Sequence, residues 1–278
     1  SGLTDGGWAY HMNPMSEHSS GGPVSENPGL RSAATLIVAR NSPGGAPDFL
    51  MIERSQTMAF AGGAMVFPGG AVDEADRDYA RLLDISQDHD DITARIAAIR
   101  ETIEECGLAL AIHAGDSDFD SQAVRRALKE GRTFAAIASE MELALDVSQL
   151  TPFTRWCPPA NREHKRFDTR FYIAHWDGDE RFLSPDGSET TRIGWYKARD
   201  MLAEAEAERL KIIYPTRRNL ERLAQFDSVE ALLDHARSFP PRLISPWVEQ
   251  RDGVDHLCIP EDAGYPVTSE PMASAVRG

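Results

Sequence analysis

The segment at residues 92–108 constrains the fold of this chain more than any other, because it predicts an amphipathic helix with two contrasting faces. Isoleucines recur there at steps of four, three and four residues: Ile92, Ile96, Ile99 and Ile103. That spacing places them on one face of an α-helix. At about 100° per residue, Glu101, Glu104 and Glu105 fall on the opposite face, and Gly107 is suited to end the helix. We therefore expect the isoleucines to pack against a core while the three carboxylates stand together.

The three glutamates occupy the last turns of this predicted helix, where the helix dipole is unfavourable to anions. A solvated acidic face is the ordinary interpretation of such a cluster. Crowded carboxylates at a helix C-terminus nevertheless cost stability unless a cation offsets them, and ligands that offer only oxygen suit Mg²⁺ or Mn²⁺. The pattern therefore indicates a candidate divalent-metal site at Glu101, Glu104 and Glu105.

Strand-like and helix-like segments alternate around this helix. Residues 33–39 and 49–54 are apolar runs separated by a Pro-Gly-Gly turn, which predicts a hairpin, and residues 65–67 predict a short third strand. Further strands are expected near 108–112, 150–155, 168–176 and 191–197, and further helices near 121–129, 133–145, 199–209, 215–225 and 228–238. This order predicts an α/β fold, with helices packed on both faces of a mixed sheet.

The chain is expected to contain one main domain with a tail at each end. Residues 1–29 are rich in Gly, Ser, Pro and Asn and show no apolar period, which indicates a flexible N-terminal tail. The main domain is predicted at 30–250, and residues 251–278 are predicted to be an irregular C-terminal segment.

Composition narrows the class of partner and the compartment. The chain carries 29 Lys and Arg against 44 Asp and Glu, a formal net charge of −15, which disfavours a nucleic-acid polymer as a partner. Its three cysteines lie far apart, as is typical of a reducing compartment. No apolar run is long enough to span a bilayer, and no secretory signal is visible. We expect a cytoplasmic protein with no membrane partner.

Two segments together resemble the Nudix box, G-x5-E-x7-R-E-U-x-E-E-x-G-U, in which U is a bulky apolar residue. The first runs from Gly70 to Asp76, and the second, at 100–108, reads R-E-T-I-E-E-C-G-L. The chain departs from the pattern in three ways: Asp76 replaces the first glutamate, Thr102 replaces an apolar residue, and the spacer contains 23 residues (77–99) instead of seven.

The flanks of the box are similar to a long-insert Nudix subgroup that includes the peroxisomal coenzyme A diphosphatases. The matching segments are 54–55, 66–73 and 166–172. The resemblance implies the Nudix-type α/β/α sandwich around a mixed sheet, with helical insertions at about 77–91 and 113–149.

The resemblance also implies roles for the box residues. Glu101, Glu104 and Glu105, with the backbone carbonyl at Gly69 or Gly70, would bind Mg²⁺ or Mn²⁺. Arg100, Glu101 and Glu105 would be catalytic: Arg100 would pair with a box glutamate and orient it, and Glu101 would bind metal or take the proton. The general base stays open among three loop acids outside the box: Glu163, Asp186 and Glu189.

A basic segment at 155–166 carries four cations beside a tryptophan, although the protein as a whole is acidic. Such a segment can bind phosphate groups and stack a base, and a solvated loop is the competing interpretation. With Arg54 from the matching flank, the candidate substrate contacts are Arg54, Trp156, Arg162, Lys165 and Arg166.

The resemblance implies metal-dependent hydrolysis of a diphosphate linkage in a nucleoside diphosphate derivative, with coenzyme A or an acyl-coenzyme A as the first candidate substrate. One alternative is a pyrophosphatase of the ADP-ribose or NADH type. Another is a catalytically silent Nudix module that binds a nucleotide, which the intact Glu101, Glu104 and Glu105 disfavour. A homodimer is a further possibility.

Overall fold

The computed structural model describes residues 30–58, 61–83, 88–114, 120–159, 166–178, 180–181 and 183–275. Its strands, in chain order, are β1 (Leu30–Ser42), β2 (Gly45–Arg54), β3 (Met65–Val66), β4 (Gly69–Ala71), β5 (Ile112–His113), β6 (Ala144–Leu145), β7 (Thr151–Trp156), β8 (Arg166–His175), β9 (Thr190–Lys197), β10 (Leu243–Ile244), β11 (Trp247–Arg251), β12 (Val254–Cys258) and β13 (Ser269–Pro271). Its α-helices are α1 (Glu74–Leu82), α2 (His89–Cys106), α3 (Ser121–Lys129), α4 (Phe134–Glu140), α5 (Ala198–Glu206), α6 (Tyr214–Leu223), α7 (Val229–Ser238) and α8 (Met272–Ala275).

A mixed sheet of eight strands forms the centre of the described residues. Its order is β10-β7-β8-β1-β2-β3, with β4 paired to β1 and β9 paired to β2. Strand β1 runs parallel to β8 and antiparallel to both β2 and β4. The first half of β1 pairs with β4 and its last residues pair with β2, so this one long strand joins the two parts of the sheet.

Two cores lie on the opposite faces of this sheet, because successive β1 side chains alternate between them. Leu36 and Val38 belong to the core under α2, whereas Ile37 and Ala39 belong to the core under α5, α6 and α7. The four isoleucines of α2 are at most 1% exposed and lie in the first core. The predicted α/β/α sandwich around a mixed sheet is therefore confirmed, and so is the orientation of α2.

The long spacer of the box is partly helical. Residues 77–82 belong to α1, where Tyr79 packs edge-on against Phe134 of α4 at 5.7 Å between ring centroids. Residues 84–87 of the predicted 77–91 insertion lie outside the described residues. Helix α2 begins at His89, and the side chain of Asp88 accepts a hydrogen bond from the Asp90 N–H as its N-cap.

Two predicted elements are shorter than the sequence suggested. The strand expected at 108–112 is only Ile112–His113, because Gly107 and Ala111 both take a left-handed backbone conformation that interrupts an extended chain. The helix expected at 133–145 ends at Glu140, and Glu142 is left-handed as well.

The prediction of an irregular segment at 251–278 is wrong for residues 251–275. Strands β11, β12 and β13 form an antiparallel sheet there, and α8 follows it. Leu257, Ile259 and Tyr265 enter the second core, which is the physical reason that this segment is ordered. The boundary proposed at residue 250 falls inside β11. None of the described helices has the length and apolar character that crossing a bilayer requires.

Candidate active site

Helix α2 and strand β4 approach each other closely at the box. The Gly69 N–H donates a 2.8 Å hydrogen bond to Oε2 of Glu105. A Cβ atom on Gly70 would lie 2.4 Å from Cδ of Glu101, a distance that real Cβ atoms do not show. The two glycines therefore let main chain lie directly against two of the three box glutamates.

Arg100 organises the acidic side of this contact. Its Nε and Nη2 donate to the two carboxylate oxygens of Asp76, each at 2.9 Å. Its Nη1 donates to Glu101 at 2.8 Å and to Glu104 at 3.0 Å, and its Nη2 also reaches the Ala71 carbonyl at 3.0 Å. One guanidinium thus orients two box glutamates and fastens α2 to β4 and α1.

Asp76, which replaces the first glutamate of the box pattern, is buried at 1% exposure. Besides accepting both bonds from Arg100, its carboxylate accepts a hydrogen bond from the Asp73 N–H and completes the capping box of α1. The shorter aspartate side chain is therefore accommodated in a structural role. Asp73 and Asp76 have the i, i+3 spacing of a capping box, a local signal from which this role could have been predicted.

Burial dominates the electrostatics of the box. It raises the pKa of Glu101 to about 7, although the charge of Arg100 opposes the shift. It raises the pKa of Glu105 to about 8, and the negative charge of Glu101 adds to the effect. Burial acts to lower the pKa of Arg100, but its hydrogen bond to Asp76 and the surrounding carboxylates more than compensate, so that its pKa is raised. Burial therefore penalises the charged forms of Glu101 and Glu105, which a nearby cation would favour.

Two residues outside the box lie close enough to act on Glu105. The positive charge of Arg54, at the end of β2, lowers the pKa of Glu105, and the negative charge of Glu189 raises it. Within the described part of the chain, Nε of Arg54 is buried without a hydrogen-bond partner. The Ser55 N–H donates to the Glu189 carbonyl at 2.7 Å, which ties the Glu189 loop to the end of β2.

The other two candidates for the general base are Asp186 and Glu163. The Asp186 carboxylate accepts hydrogen bonds from the backbone N–H groups of Ser188, Glu189 and Thr190, so it holds the turn that carries Glu189. Partial burial acts to raise the pKa of Asp186, but the Ser188 hydroxyl and these backbone bonds outweigh it, so that the pKa is lowered. Glu163 lies outside the described residues. Glu189, which is exposed, is the described candidate whose charge acts on Glu105.

The prediction that Trp156 contacts substrate is wrong. Its side chain is 3% exposed in the second core, on the opposite face of the sheet from α2. Its Nε1 donates to the Tyr265 hydroxyl at 3.0 Å, and both Tyr214 and Tyr265 pack edge-on against its ring. Strand alternation places Trp156 on this face and Arg155 on the other.

The remaining predicted substrate residues divide between buried and undescribed positions. Arg166 is 7% exposed at the start of β8, where its Nη1 donates to the Pro158 carbonyl at 3.4 Å. Arg162 and Lys165 lie outside the described residues. Arg54 is therefore the predicted substrate cation that the structure brings beside the box.

A group of three or more His, Cys, Asp or Glu side chains already arranged around a metal position is not found among the described residues. The directions of the carboxylates explain this, since Glu101 and Glu104 turn toward Arg100, and Glu105 turns toward Gly69. The donor set nevertheless fits a hard divalent cation, because it offers buried carboxylate oxygens whose charged forms a cation would stabilise.

Comparison with known proteins finds members of the Nudix family. The model of the NUDT19 Nudix domain matches residues 84–223, about half of the chain. An acyl-coenzyme A diphosphatase NUDT19 from Xenopus laevis is 24% identical over 309 residues, covering 85% of this chain and 81% of that protein. A putative nudix hydrolase 7 from Caenorhabditis elegans is 28% identical over 235 residues, covering 84% and 74%.

A solved structure supports the same assignment. The crystal structure of a NUDIX hydrolase from Alicyclobacillus acidocaldarius has a TM-score of 0.64 and 30% identity, covering 74% of this chain and 96% of that one. The chain therefore belongs to the Nudix hydrolase family, is a Nudix pyrophosphohydrolase, and resembles the group of that family that includes the acyl-coenzyme A diphosphatases.

Proposed function

We propose that the protein hydrolyses the diphosphate linkage of coenzyme A or an acyl-coenzyme A, with Mg²⁺ or Mn²⁺ bound at the box. The observation that carries the proposal is the buried carboxylate cluster of α2, held against the backbone of Gly69 and Gly70. The relatives described as acyl-coenzyme A diphosphatases, which this chain matches over more than four-fifths of its length, favour this substrate over other diphosphates.

Glu101, Glu104 and Glu105 would hold the metal, together with the main-chain carbonyl of Gly70. A bound divalent ion neutralises diphosphate charge and lowers the pKa of a coordinated water. Arg100 keeps Glu101 and Glu104 at the helix surface, so that their oxygens do not have to be ordered when substrate binds.

Glu189 and Arg54 complete the proposed site. Glu189 would accept the proton of the attacking water, because its charge acts on Glu105 and its side chain is exposed to solvent. Arg54 would donate to a phosphate oxygen, since its Nε is desolvated and lacks a partner in the described structure. Both residues are joined to the same short stretch of backbone by the bond from Ser55 to Glu189.

A substrate panel tests this function. The protein is incubated with Mg²⁺ or Mn²⁺ and with coenzyme A, acetyl-coenzyme A, ADP-ribose or NADH, and the products are identified by mass spectrometry. Release of 3′,5′-ADP together with 4′-phosphopantetheine or its acyl form is the expected result. Faster cleavage of ADP-ribose or NADH would move the substrate to the dinucleotide class. No turnover of any of the four would indicate a silent nucleotide-binding module.

Glu105→Gln tests the site within the same panel, with Glu130→Gln as a matched control on the exposed end of α3. We expect the first variant to lose most activity while remaining folded and the second to resemble the parent.

Light scattering during size-exclusion chromatography of the parent protein tests the proposed homodimer.

A further inference from the structure

The C-terminal end of α2 has all four of its terminal carbonyls paired, and two other segments supply most of the donors. A helix leaves its last four carbonyls without partners inside the helix. Gly107, the C-cap, donates its N–H to the Ile103 carbonyl, and the Ser184 N–H donates to the Cys106 carbonyl at 3.1 Å. The carbonyls of Glu104 and Glu105, the two adjacent box glutamates, are bound by Arg125 of α3.

Arg125 is 5% exposed and uses its whole guanidinium at this junction. Its Nε donates to the Glu104 carbonyl at 2.9 Å and its Nη2 to the Glu105 carbonyl at 3.0 Å. Its Nη1 donates to Oγ of Ser184 at 2.8 Å. The guanidinium also supplies positive charge at the negative end of the helix dipole, beside the crowded box carboxylates.

The rest of α3 reinforces the same junction. Ser121, in the first turn of α3, donates its hydroxyl to the Gly107 carbonyl at 3.1 Å. Lys129, in the last turn, donates to the Asp186 carbonyl at 3.1 Å. One side of a nine-residue helix therefore contacts the end of α2 and the loop at residues 184–189.

That loop carries the proposed base. Ser184 is bound to both Arg125 and Cys106, and the Asp186 carboxylate holds the backbone N–H of Glu189 at 3.1 Å. A displacement of Ser184 or Asp186 is therefore passed to Glu189 through only a few backbone bonds. The same guanidinium that fixes the carbonyls of two proposed metal ligands also fixes the start of the loop that bears the base.

We propose that α3, which lies in the insertion predicted at 113–149, is a positioning element for the active site and that Arg125 is its principal positioning residue. Arg125 acts through backbone groups and touches no reacting atom. The inference rests on the proposed function only for its effect on turnover, because the coupling of the α2 terminus to the 184–189 loop is a property of the fold itself.

Arg125→Lys is the test, with Arg126→Lys as its matched control. A lysine keeps the charge at residue 125 but cannot reach two carbonyls and a hydroxyl together. Arg126 is the neighbouring residue on α3, is 65% exposed at its side chain and pairs with Asp120 at 3.2 Å. Circular dichroism first establishes that both variants are folded at the assay temperature.

Hydrogen exchange provides a readout that does not depend on activity. We expect Arg125→Lys to speed exchange in both the 101–108 and the 184–190 segments, while Arg126→Lys changes neither. Unchanged exchange in a folded Arg125→Lys protein would overturn the proposal. If the parent hydrolyses none of the panel substrates, the proposed function fails, yet this comparison still decides whether Arg125 couples the two segments.

Kinetics on the substrate that the panel identifies then tests the consequence for catalysis. We expect Arg125→Lys to lower kcat about tenfold or more and to change KM far less, because the reacting groups are displaced but substrate contacts remain. In a Glu189→Gln background the same substitution should cost much less in kcat, since the group that it positions has been removed. A kcat equal to that of Arg126→Lys, or full additivity with Glu189→Gln, would overturn the positioning role.

Discussion

Replacing Gly70 with alanine is the sharpest perturbation that the structure allows at the box. The new Cβ would lie 2.4 Å from Cδ of Glu101 and 2.5 and 2.6 Å from its two carboxylate oxygens. Ordinary van der Waals contact begins at 3.4 Å, so the carboxylate must retreat by about 1 Å. The 2.8 Å bond from Arg100 to Glu101 is the contact that this retreat disturbs first.

A displacement of 1 Å at a reacting or ligating group costs about 10²-fold in rate, which corresponds to about 3 kcal/mol of activation free energy. We therefore expect Gly70→Ala to lower kcat with Mg²⁺ or Mn²⁺ by about two orders of magnitude. We expect stability to fall as well, because the Glu101 carboxylate is buried and bound to Arg100 and therefore cannot move away freely. Steady-state hydrolysis and a thermal melt measure the two effects separately.

Gly44→Ala is the matched control. It lies in the turn between β1 and β2, where the nearest atom to a new Cβ would be Nζ of Lys197 at 3.5 Å. It should leave both rate and melting temperature close to those of the parent protein. A folded Gly70→Ala protein whose kcat lies within about twofold of Gly44→Ala would refute the idea that close approach of Glu101 to β4 matters for catalysis.

Three further predictions concern charge and packing. Burial raises the pKa of Glu105 from its ordinary 4.5 to about 8. The contribution of this carboxyl group to stability is therefore complete below pH 4.5, where it is protonated in both states, and is lost as the pH rises through 8. Without metal, Glu105→Gln should therefore be more stable than the parent by up to about 3 kcal/mol at pH 7 and equal to it at pH 4. Urea unfolding at the two pH values measures this difference. A difference that does not change with pH would contradict its assignment to the Glu105 carboxyl group. Arg100→Lys should lose at least about 2 kcal/mol of stability and most activity, because an ammonium group cannot bind Asp76 in bidentate fashion while also reaching Glu101. If this variant is as stable as the parent in the same urea titration, Arg100 does not organise the box. Tyr265→Phe should lower stability by about 2 kcal/mol, because its hydroxyl lies 2.8–3.0 Å from buried polar atoms of three residues, and should leave kcat unchanged; a large loss of kcat in this variant would mean that the second core contributes to the site.

Much of the fold can be predicted from the local spacing of apolar residues. The isoleucine spacing and Gly107 specify α2 because burial on one face and a left-handed C-cap are properties of a few neighbouring residues. The same local character explains why the prediction of α3 at 121–129 matches the observed helix. Short strands are harder to predict from the sequence. Strands β11, β12 and β13 each bury few residues and depend on a core that distant segments supply.

The role of a side chain could be predicted only where the residue belongs to a sequence motif. The box pattern identified Arg100 and the glutamates that it contacts, but the role of Arg125 depends on backbone carbonyls some 20 residues earlier in the chain, which no residue type records. Trp156 was misplaced because a cationic segment indicated a surface loop, while strand alternation directed its ring into the second core. Which face a strand residue occupies is decided by its partners, and those are not local.

The split pairing of β1 has a consequence for the order in which this chain can fold as it is synthesised. The parallel partner of β1 is β8, more than 120 residues later, so the centre of the sheet must wait for most of the chain. Its second face waits longer, because Leu257, Ile259 and Tyr265 complete the core that covers Ile37 and Phe153. Until those residues leave the ribosome, α5, α6 and α7 cover that apolar face only in part, and incompletely covered apolar surface makes a nascent chain prone to aggregate.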